Sequence, residues 1–249
     1  MSSERQEYNE ISPWWGEHIH RYFEGCKLIT NNDCVLDLAC GNGFGTHLIS
    51  QATKGQVIGA DIDDVSVLDC QTKFQKSNLR YQVEDGTNLT FEANSFDMIF
   101  SFETIEHTTK YKEMVSEFRR CLKDSGTLIL STPNILVNSP DGLVKNPYHT
   151  QEFNLLELKE LLNSVFGNVK IYGQQYIRYE HKSFINKIAK LIESFFYLKG
   201  VRKLPTFIQD TTMKLLIGKT QYPEISDFKM TSNPDEILKC KTFFAVCKK

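Results

Sequence analysis

A glycine-rich turn between a short apolar run and a helical pattern constrains the fold of this chain more than any other feature. The run Cys34–Ala39 has the length and composition of a buried strand, and Thr46–Ala52 is predicted to be a helix. Gly41, Gly43 and Gly45 lie between them, where the chain must reverse sharply and let a ligand approach its backbone. This order predicts the ligand-binding unit of an open α/β sheet.

The alternation of short apolar runs with longer helical patterns continues along the chain, which predicts βαβ units and a mostly parallel sheet. The predicted strands are Cys34–Ala39, Gln56–Asp61, Leu79–Glu84, Phe96–Phe102, Thr127–Ser131, Val169–Tyr172 and Thr242–Cys247. The predicted helices between them are Thr46–Ala52, Asp64–Lys76, Lys110–Leu122 and Leu155–Phe166. We expect a single domain over 1–249, with a helical segment at about 8–30 and a helical insertion at about 180–235 between the last two strands.

The predicted insertion is the most basic part of the chain. Between His181 and Thr220, eight Lys and Arg residues face only two acids, although the net charge of the chain is −2. Phe184, Ile188 and Leu191 recur at helical spacing in this stretch. Such a helix either packs on the domain or on a second subunit, or lies on a membrane surface through 183–203. The overall charge gives no reason to expect a nucleic acid partner.

The cysteines indicate a reducing compartment. Their number is seven, which is odd, and no two form a C-x-x-C pair. The first ten residues are polar, and no run reaches the roughly 18–20 apolar residues that a membrane span needs. We therefore expect a cytoplasmic protein.

Three acids follow or precede strand ends at the same predicted edge of the sheet. Asp37 lies four residues before Gly41, where it would repel a pyrophosphate but suit a cationic ligand. This acid, with the G-x-G-x-G spacing, speaks against a nicotinamide-dependent oxidoreductase. Asp61 can accept the hydroxyls of a ribose, and Asp85 the amino group of an adenine. The alternative for each acid is a helix cap or a turn residue.

The chain resembles the class I S-adenosylmethionine-dependent methyltransferases, and within them a bacterial group associated with cell-surface polysaccharide synthesis. The segments that carry the resemblance are Glu17–Tyr22, Val35–Gly45, Ser101–His107, Leu130–Asn134 and Asn146–His149. The resemblance implies a three-layer, Rossmann-like α/β fold with a seven-stranded sheet whose last strand is antiparallel. It implies S-adenosylmethionine as cofactor and S-adenosylhomocysteine as product. The cofactor-binding residues that it implies are Arg21, Asp37, Ala39, Gly41, Gly43, Asp61, Ile62, Asp85, Gly86 and Ser101.

The candidate active site follows the fourth predicted strand. Glu103, Glu106 and His107 lie at the carboxyl edge of the sheet, and His149 comes from the long loop after the fifth strand. Glu103 and His107 would share a face if this turn is helical. We expect His149, His107 and Glu103 to be catalytic, as base and orienting partners. We expect Glu106 to be structural, and the alternative for His107 is a histidine at the start of a helix that is bonded to backbone.

These four residues also permit a metal site. The small-RNA 3′-terminal 2′-O-methyltransferases carry a similar E-x-x-E-H with a later histidine, and bind a metal that grips a ribose diol. Methyltransferases that look metal-free, including those of the ubiquinone pathway, carry E-x-x-E-H as well. We therefore expect no metal, with Glu103, Glu106, His107 and His149 as its ligands if one is present.

The expected reaction is methyl transfer to a hydroxyl of a sugar or glycan, and the sugar rests on the resemblance alone. The alternatives are an RNA-terminal or quinone-type O-methyltransferase and a non-catalytic cofactor-binding module.

Overall fold

The computed structural model describes residues 14–178, 211, 214–215, 218, 220 and 222–249. The strands in these residues are β1 (Val35–Leu38), β2 (Val57–Asp61), β3 (Leu79–Val83), β4 (Phe96–Phe102), β5 (Leu122–Pro133), β6 (Asn168–Tyr176), β7 (Phe228–Thr231) and β8 (Thr242–Lys248). The helices are α1 (Trp15–Cys26), α2 (Phe44–Ala52), α3 (Asp64–Lys73), α4 (Tyr111–Cys121), α5 (Ile135–Asn138), α6 (Leu155–Asn163) and α7 (Pro234–Ile237). None of these helices is long and apolar enough to cross a membrane.

The strands form one mixed sheet in the order β3-β2-β1-β4-β5-β8-β6-β7. The first five strands in this order, from β3 to β5, pair in parallel with their neighbours, whereas β8 is antiparallel to both β5 and β6. The predicted antiparallel last strand and the mostly parallel sheet are therefore confirmed. The described sheet has one strand more than the seven predicted. The extra strand is β7, whose four residues are too few for a periodic pattern to show.

The strand β7 lies inside the interval predicted as a helical insertion, and the helix α7 begins at its end, so the described end of this interval is not wholly helical. Three features of that interval lie outside the described residues. They are its apolar helical stripe, the possible membrane contact at 183–203, and its Lys and Arg residues between His181 and Thr220 other than Lys214.

Alternate residues of β1 enter two separate hydrophobic cores. Val35 packs with Ile49 of α2 on one face of the sheet. Leu36 and Leu38 pack with Phe118 of α4 on the other face. Because both faces are covered, β1 is buried throughout, which explains its nearly unbroken apolar run. The result is the predicted three-layer, Rossmann-like α/β arrangement.

The strand order places a ligand crevice between β1 and β4. From β1, the chain continues to β2 on one side, whereas β4 lies on the other side and begins the second half of the sheet. Leu38, the last residue of β1, is paired with Ser101 of β4. Loops that leave two such strands at their carboxyl ends diverge and leave room for a ligand. The glycine turn and the candidate active-site segment are these two loops.

Contacts divide the chain into two compact units. The larger includes Arg21–Gln175 and Met230–Lys249, and it holds all the candidate site residues. The described residues of the smaller include 176–178 and 222–229. Within the smaller unit, the buried guanidinium of Arg178 lies 3.5 Å from the carboxylate of Asp227.

Candidate functional site

The glycine turn joins β1 to α2 through residues in the left-handed backbone conformation. Ala39, Gly41 and Gly43 have φ values of 60°, 53° and 76°. A Cβ on Gly43 would lie 2.7 Å from the Sγ of Cys70, so this position requires glycine for its conformation and for its space. A Cβ on Gly41 would meet no described atom within 4 Å. The backbone at Gly41 therefore faces open space that a ligand can approach closely.

Asp37 lies in β1, just before the turn, and is 1% exposed. Its carboxylate accepts hydrogen bonds from the hydroxyls of Thr46 at 2.7 Å and Tyr22 at 3.2 Å. Burial raises the pKa of Asp37 to about 7; the two hydrogen bonds lower the pKa, and the charge of Asp61 raises it further. A positive charge bound beside such a carboxyl would favour its ionised form. Asp37 is thus suited to a cationic ligand.

Asp61 connects the end of β2 to the glycine turn. Its two carboxylate oxygens accept the N–H groups of Gly41 at 2.8 Å and Asp63 at 3.0 Å. Ile62 follows with 70% of its surface exposed at the same edge of the sheet. The structure therefore brings Asp61 into direct contact with the turn and leaves Ile62 open to solvent.

Asp85 is an exposed residue of the turn that follows β3. Its Oδ1 accepts from the N–H and the hydroxyl of Thr87, both at 2.8 Å, and these hydrogen bonds lower the pKa of Asp85. A Cβ on Gly86 would lie 2.8 Å from Leu38, so Gly86 packs against the end of β1. These contacts are those of a turn residue, the alternative considered for Asp85. Glu84, which the sequence did not single out, is buried and accepts hydrogen bonds from the loop that follows.

Two buried polar atoms at this edge have no hydrogen-bond partner among the described residues. They are the Oγ of Ser101, at the end of β4, and the Nδ2 of Asn42, inside the glycine turn. Leaving such an atom unpaired costs about 1–3 kcal/mol. Polar groups of a ligand in the crevice would offset this cost, so the residues present fit a nucleoside with hydrogen-bonding groups.

Arg21 of α1 is buried, with 1% of its surface exposed. Its Nη1 donates a hydrogen bond to the Oε1 of Gln174 in β6 at 2.8 Å. Its positive charge lowers the pKa of Glu106, against larger effects that raise it. Arg21 is therefore an interior charge near the segment after β4, which its position on an N-terminal helix did not suggest.

Glu103 opens the segment after β4 with a left-handed backbone, at φ 50°. Its N–H donates to the carbonyl oxygen of Ser131 at 3.0 Å, and its carboxylate accepts from the Ser131 hydroxyl at 2.7 Å. A short 3₁₀ turn begins only at Ile105. The condition under which Glu103 and His107 would share a helical face is therefore not met. Hydrogen bonds to β5 offset the about 1–3 kcal/mol that a strained backbone costs.

Glu106 is fully buried. Its Oε2 accepts a hydrogen bond from the hydroxyl of Thr132 at 2.9 Å, whereas its Oε1 has no partner within the described chain. Burial, together with the charge of Glu103, raises the pKa of Glu106 well above its usual value. The main-chain oxygen of Glu106 accepts from the N–H of Thr150 at 2.8 Å, which ties the loop after β5 to this turn.

His107 and His149 meet edge to face, with ring centroids 4.9 Å apart. The Nδ1 of His107 lies 3.0 Å from the carbonyl oxygen of Tyr148, and the Nδ1 of His149 lies 2.9 Å from the Oε1 of Glu152. The Nε2 of His149 lies 2.9 Å from the Nδ2 of Asn146. Because an amide nitrogen only donates, the Nε2 of His149 accepts and its Nδ1 carries the proton.

Glu152 is the residue that sequence reasoning missed. Its side chain is 2% exposed, and its second oxygen accepts from the hydroxyl of Ser139 at 3.0 Å. An acid three residues after a candidate base was a visible signal. A loop, however, has no period from which their contact could be predicted. His149 and Glu152 together form a base with an orienting carboxylate.

The structure brings three of the four predicted acceptor-side residues into one cluster. One nitrogen or oxygen atom from each of Glu106, His107 and His149 lies within 4.8 Å of the others. Glu103 is outside this group and is bonded to Ser131 instead. Such a cluster can accept a proton or hold a divalent cation.

Parts of this chain are similar to known proteins. Residues 36–130 match the family described as a methyltransferase domain. A Mycolicibacterium smegmatis protein named probable S-adenosylmethionine-dependent methyltransferase is 34% identical over 156 residues, which cover 62% of this chain and 59% of that protein. The ubiquinone biosynthesis O-methyltransferase of Coxiella burnetii is 31% identical over 103 residues, which cover 40% of this chain and 43% of that protein. The chain thus spans less than two thirds of the length of either relative.

The fold is also found in a solved structure, the phosphoethanolamine N-methyltransferase 2 of Haemonchus contortus in complex with phosphomonomethylethanolamine and S-adenosylhomocysteine. Its TM-score is 0.60 at 21% identity, and the match covers 97% of this chain and 55% of that one. This structural similarity supports the fold alone. The family match and the sequence relatives support similarity to a methyltransferase domain. Together they show that this chain has the Rossmann-like class I methyltransferase fold and that its residues 36–130 are similar to a methyltransferase domain.

Proposed function

We propose that this protein transfers a methyl group from S-adenosylmethionine to a hydroxyl oxygen, and that the acceptor is a sugar or glycan. The observation that carries the proposal is the pair His149 and Glu152, 2.9 Å apart, in a cluster at the edge of the sheet that bears the glycine turn. A hydroxyl needs a base more than an amine does, because its proton is much less acidic. A pre-oriented imidazole meets that need.

The residues of the crevice suit each of the three parts of S-adenosylmethionine: the methionine, the ribose and the adenine. The chemistry that S-adenosylmethionine supplies when bound is a methyl group on a cationic sulfur, which an oxygen nucleophile takes in line as the carbon–sulfur bond breaks. Asp37 and Gly41 would hold its methionine part, with Arg21 at the carboxylate. Asp61 would hold the ribose and Asp85 the adenine. Ala39, Gly43, Ile62, Gly86 and Ser101 complete the proposed lining.

The chain's own residues would align the acceptor and remove its proton. Alignment can supply up to roughly 7–11 kcal/mol of the barrier reduction. The Nε2 of His149 would take the hydroxyl proton as the oxygen–carbon bond forms, worth about 10²–10⁴-fold in rate. The acceptor hydroxyl would replace the amide of Asn146, which now occupies that nitrogen. Glu152 would then stabilise the imidazolium.

The finer parts of the proposal have their own support. The similarity to an enzyme named as an O-methyltransferase favours an oxygen acceptor. The sugar acceptor rests on the resemblance to the polysaccharide-associated group. All seven cysteines are free thiols, which favours a reducing compartment such as the cytoplasm.

The test is transfer of labelled methyl from S-adenosylmethionine to three acceptor classes: a bacterial glycan fraction, a quinol and an RNA with a free 3′ end. Label in the glycan is the expected result; label in the quinol or the RNA alone would replace the acceptor, and label in none would favour a non-catalytic module. His149→Ala should keep S-adenosylhomocysteine binding and lose turnover by at least about 10²-fold. His47→Ala, in α2, is the matched control and should keep both. Near-normal turnover by His149→Ala would contradict the base assignment.

A further inference from the structure

We infer that Glu106, His107 and His149 form a binding site for one divalent cation that accepts imidazole and carboxylate ligands. The inference concerns a ligand that methyl transfer does not require, so it does not depend on the proposed function. Three independent features of the cluster support it: the spacing of its atoms, an unpaired buried oxygen and the orientation of both imidazoles.

The spacing is close to that of a coordinated ion. One potential ligand atom from each residue lies within 4.8 Å of the other two. Two ligands at about 2.0–2.2 Å from one ion are at most about 4.4 Å apart. Because three ligands cannot all lie opposite one another across one ion, binding would draw their atoms together by on the order of 1 Å. His107 is exposed, so an ion can reach the cluster from solvent.

Glu106 supplies an oxygen that the described protein leaves unsatisfied. Its Oε1 is buried and accepts no hydrogen bond from any described residue, while the Thr132 hydroxyl at 2.9 Å holds Oε2 in place. A buried carboxylate oxygen without a partner is costly, and a cation satisfies it directly. A residue that served only to pack this turn would have no need of a carboxylate here.

Both imidazoles are oriented as metal-binding histidines are. Each directs its Nδ1 to an oxygen: His107 to the carbonyl of Tyr148 at 3.0 Å, and His149 to the carboxylate of Glu152 at 2.9 Å. An oxygen on Nδ1 selects the tautomer whose lone pair is on Nε2, and it holds the ring in place. On binding, the ion would displace the amide of Asn146 from the Nε2 of His149.

Two imidazoles and one carboxylate suit first-row divalent ions such as Mn²⁺, Fe²⁺ or Zn²⁺ better than Ca²⁺. A cation on the Nε2 of His149 uses the lone pair that removal of a proton requires. The two roles of His149 therefore exclude each other in one molecule, and a bound cation should inhibit transfer that depends on this base.

Mn²⁺ is the probe of choice, because the free thiols of this chain attract softer ions. Binding to the EDTA-treated protein is measured by the loss of the free Mn²⁺ signal in electron paramagnetic resonance, without cofactor or acceptor. We expect one ion per chain. Glu106→Gln and His107→Ala should each weaken binding at least about tenfold, and His47→Ala should not change it.

Circular dichroism and thermal unfolding establish that each variant is folded; Glu106→Gln keeps an oxygen for the Thr132 hydroxyl. The absence of saturable Mn²⁺ binding to the wild type would overturn the inference. So would a Mn²⁺ affinity equal to that of the wild type in both Glu106→Gln and His107→Ala. If Mn²⁺ binds as expected and no acceptor is methylated, the cation site stands and the proposed function fails. If Mn²⁺ binds and activates transfer, the cation site stands and the base assignment of His149 fails.

Discussion

Asp37→Asn tests whether the buried carboxyl before the glycine turn destabilises the unliganded protein. Burial raises the pKa of Asp37 from 3.8 to about 7, so the folded chain holds this proton more tightly than the unfolded chain does. The stability that the proton contributes is complete below the unfolded value and is lost as the pH rises to the folded value. At 1.36 kcal/mol per unit, the whole loss is about 4 kcal/mol, with about 3 kcal/mol between about pH 5 and about pH 8.

Asparagine keeps the shape of the side chain and can bond Thr46 and Tyr22, but it does not titrate. Urea unfolding of the unliganded proteins at the two pH values measures the difference. We expect the free energy of unfolding of Asp37→Asn, relative to wild type, to rise by about 3 kcal/mol from the lower pH to the higher. Asp97→Asn, at a carboxylate paired with Lys123 at 2.7 Å, is the matched control.

A second measurement connects this cost to the ligand. S-adenosylhomocysteine carries an ammonium group, so its affinity should fall at least about tenfold in Asp37→Asn. A parallel pH dependence of unfolding in the wild type and Asp37→Asn would refute the argument from burial. Unchanged affinity would refute the role of Asp37 toward a cation.

Three further variants test other parts of the structure. Gly43→Ala should lower the free energy of unfolding by about 1–3 kcal/mol and weaken cofactor binding, because the new methyl meets Cys70 at 2.7 Å in a left-handed backbone. Wild-type stability in thermal unfolding would show that the turn adjusts. Glu152→Gln should lower kcat, because His149 loses the carboxylate that orients its ring and stabilises its charged form. An unchanged kcat would remove Glu152 from the mechanism. Asn134→Ala should lower the free energy of unfolding in urea by about 1–3 kcal/mol, since the Asn134 amide caps α5 and donates to two carbonyl oxygens of the C-terminal segment. A change near zero would show that these hydrogen bonds do not stabilise the fold.

The centre of the sheet could be predicted because strands such as β1 and β4 are buried on both faces. An unbroken apolar run such as that of β1 identifies a central parallel strand, and the helical patterns between the runs imply the crossovers. The predictions were less accurate at the margins. The strand β5 begins at Leu122, whereas the predicted strand begins at Thr127, and the edge strand β7 was not predicted. Pairing with a neighbour, rather than local pattern, defines both of these features.

The acids at the strand ends were found for a topological reason. Parallel strands end at one edge, so a residue such as Asp61 after a predicted strand must lie beside the glycine turn, and it bonds Gly41. The burial of Asp37 and Arg21 could not be derived in the same way. It depends on Tyr22, Thr46 and Gln174, which reach these charges from other elements.

The sequence by itself determined the class of the fold, the edge of the sheet where a ligand is expected and the residue types present there, because periodicity and the succession of strands along the chain are local properties. Only the tertiary structure decided which of those residues meet. Glu152 orients His149, Glu106 keeps a buried oxygen without a partner among the described residues, and Glu103 is bonded to Ser131. The physical reason is that loops carry no period, so contacts between them are set by the elements that anchor their ends.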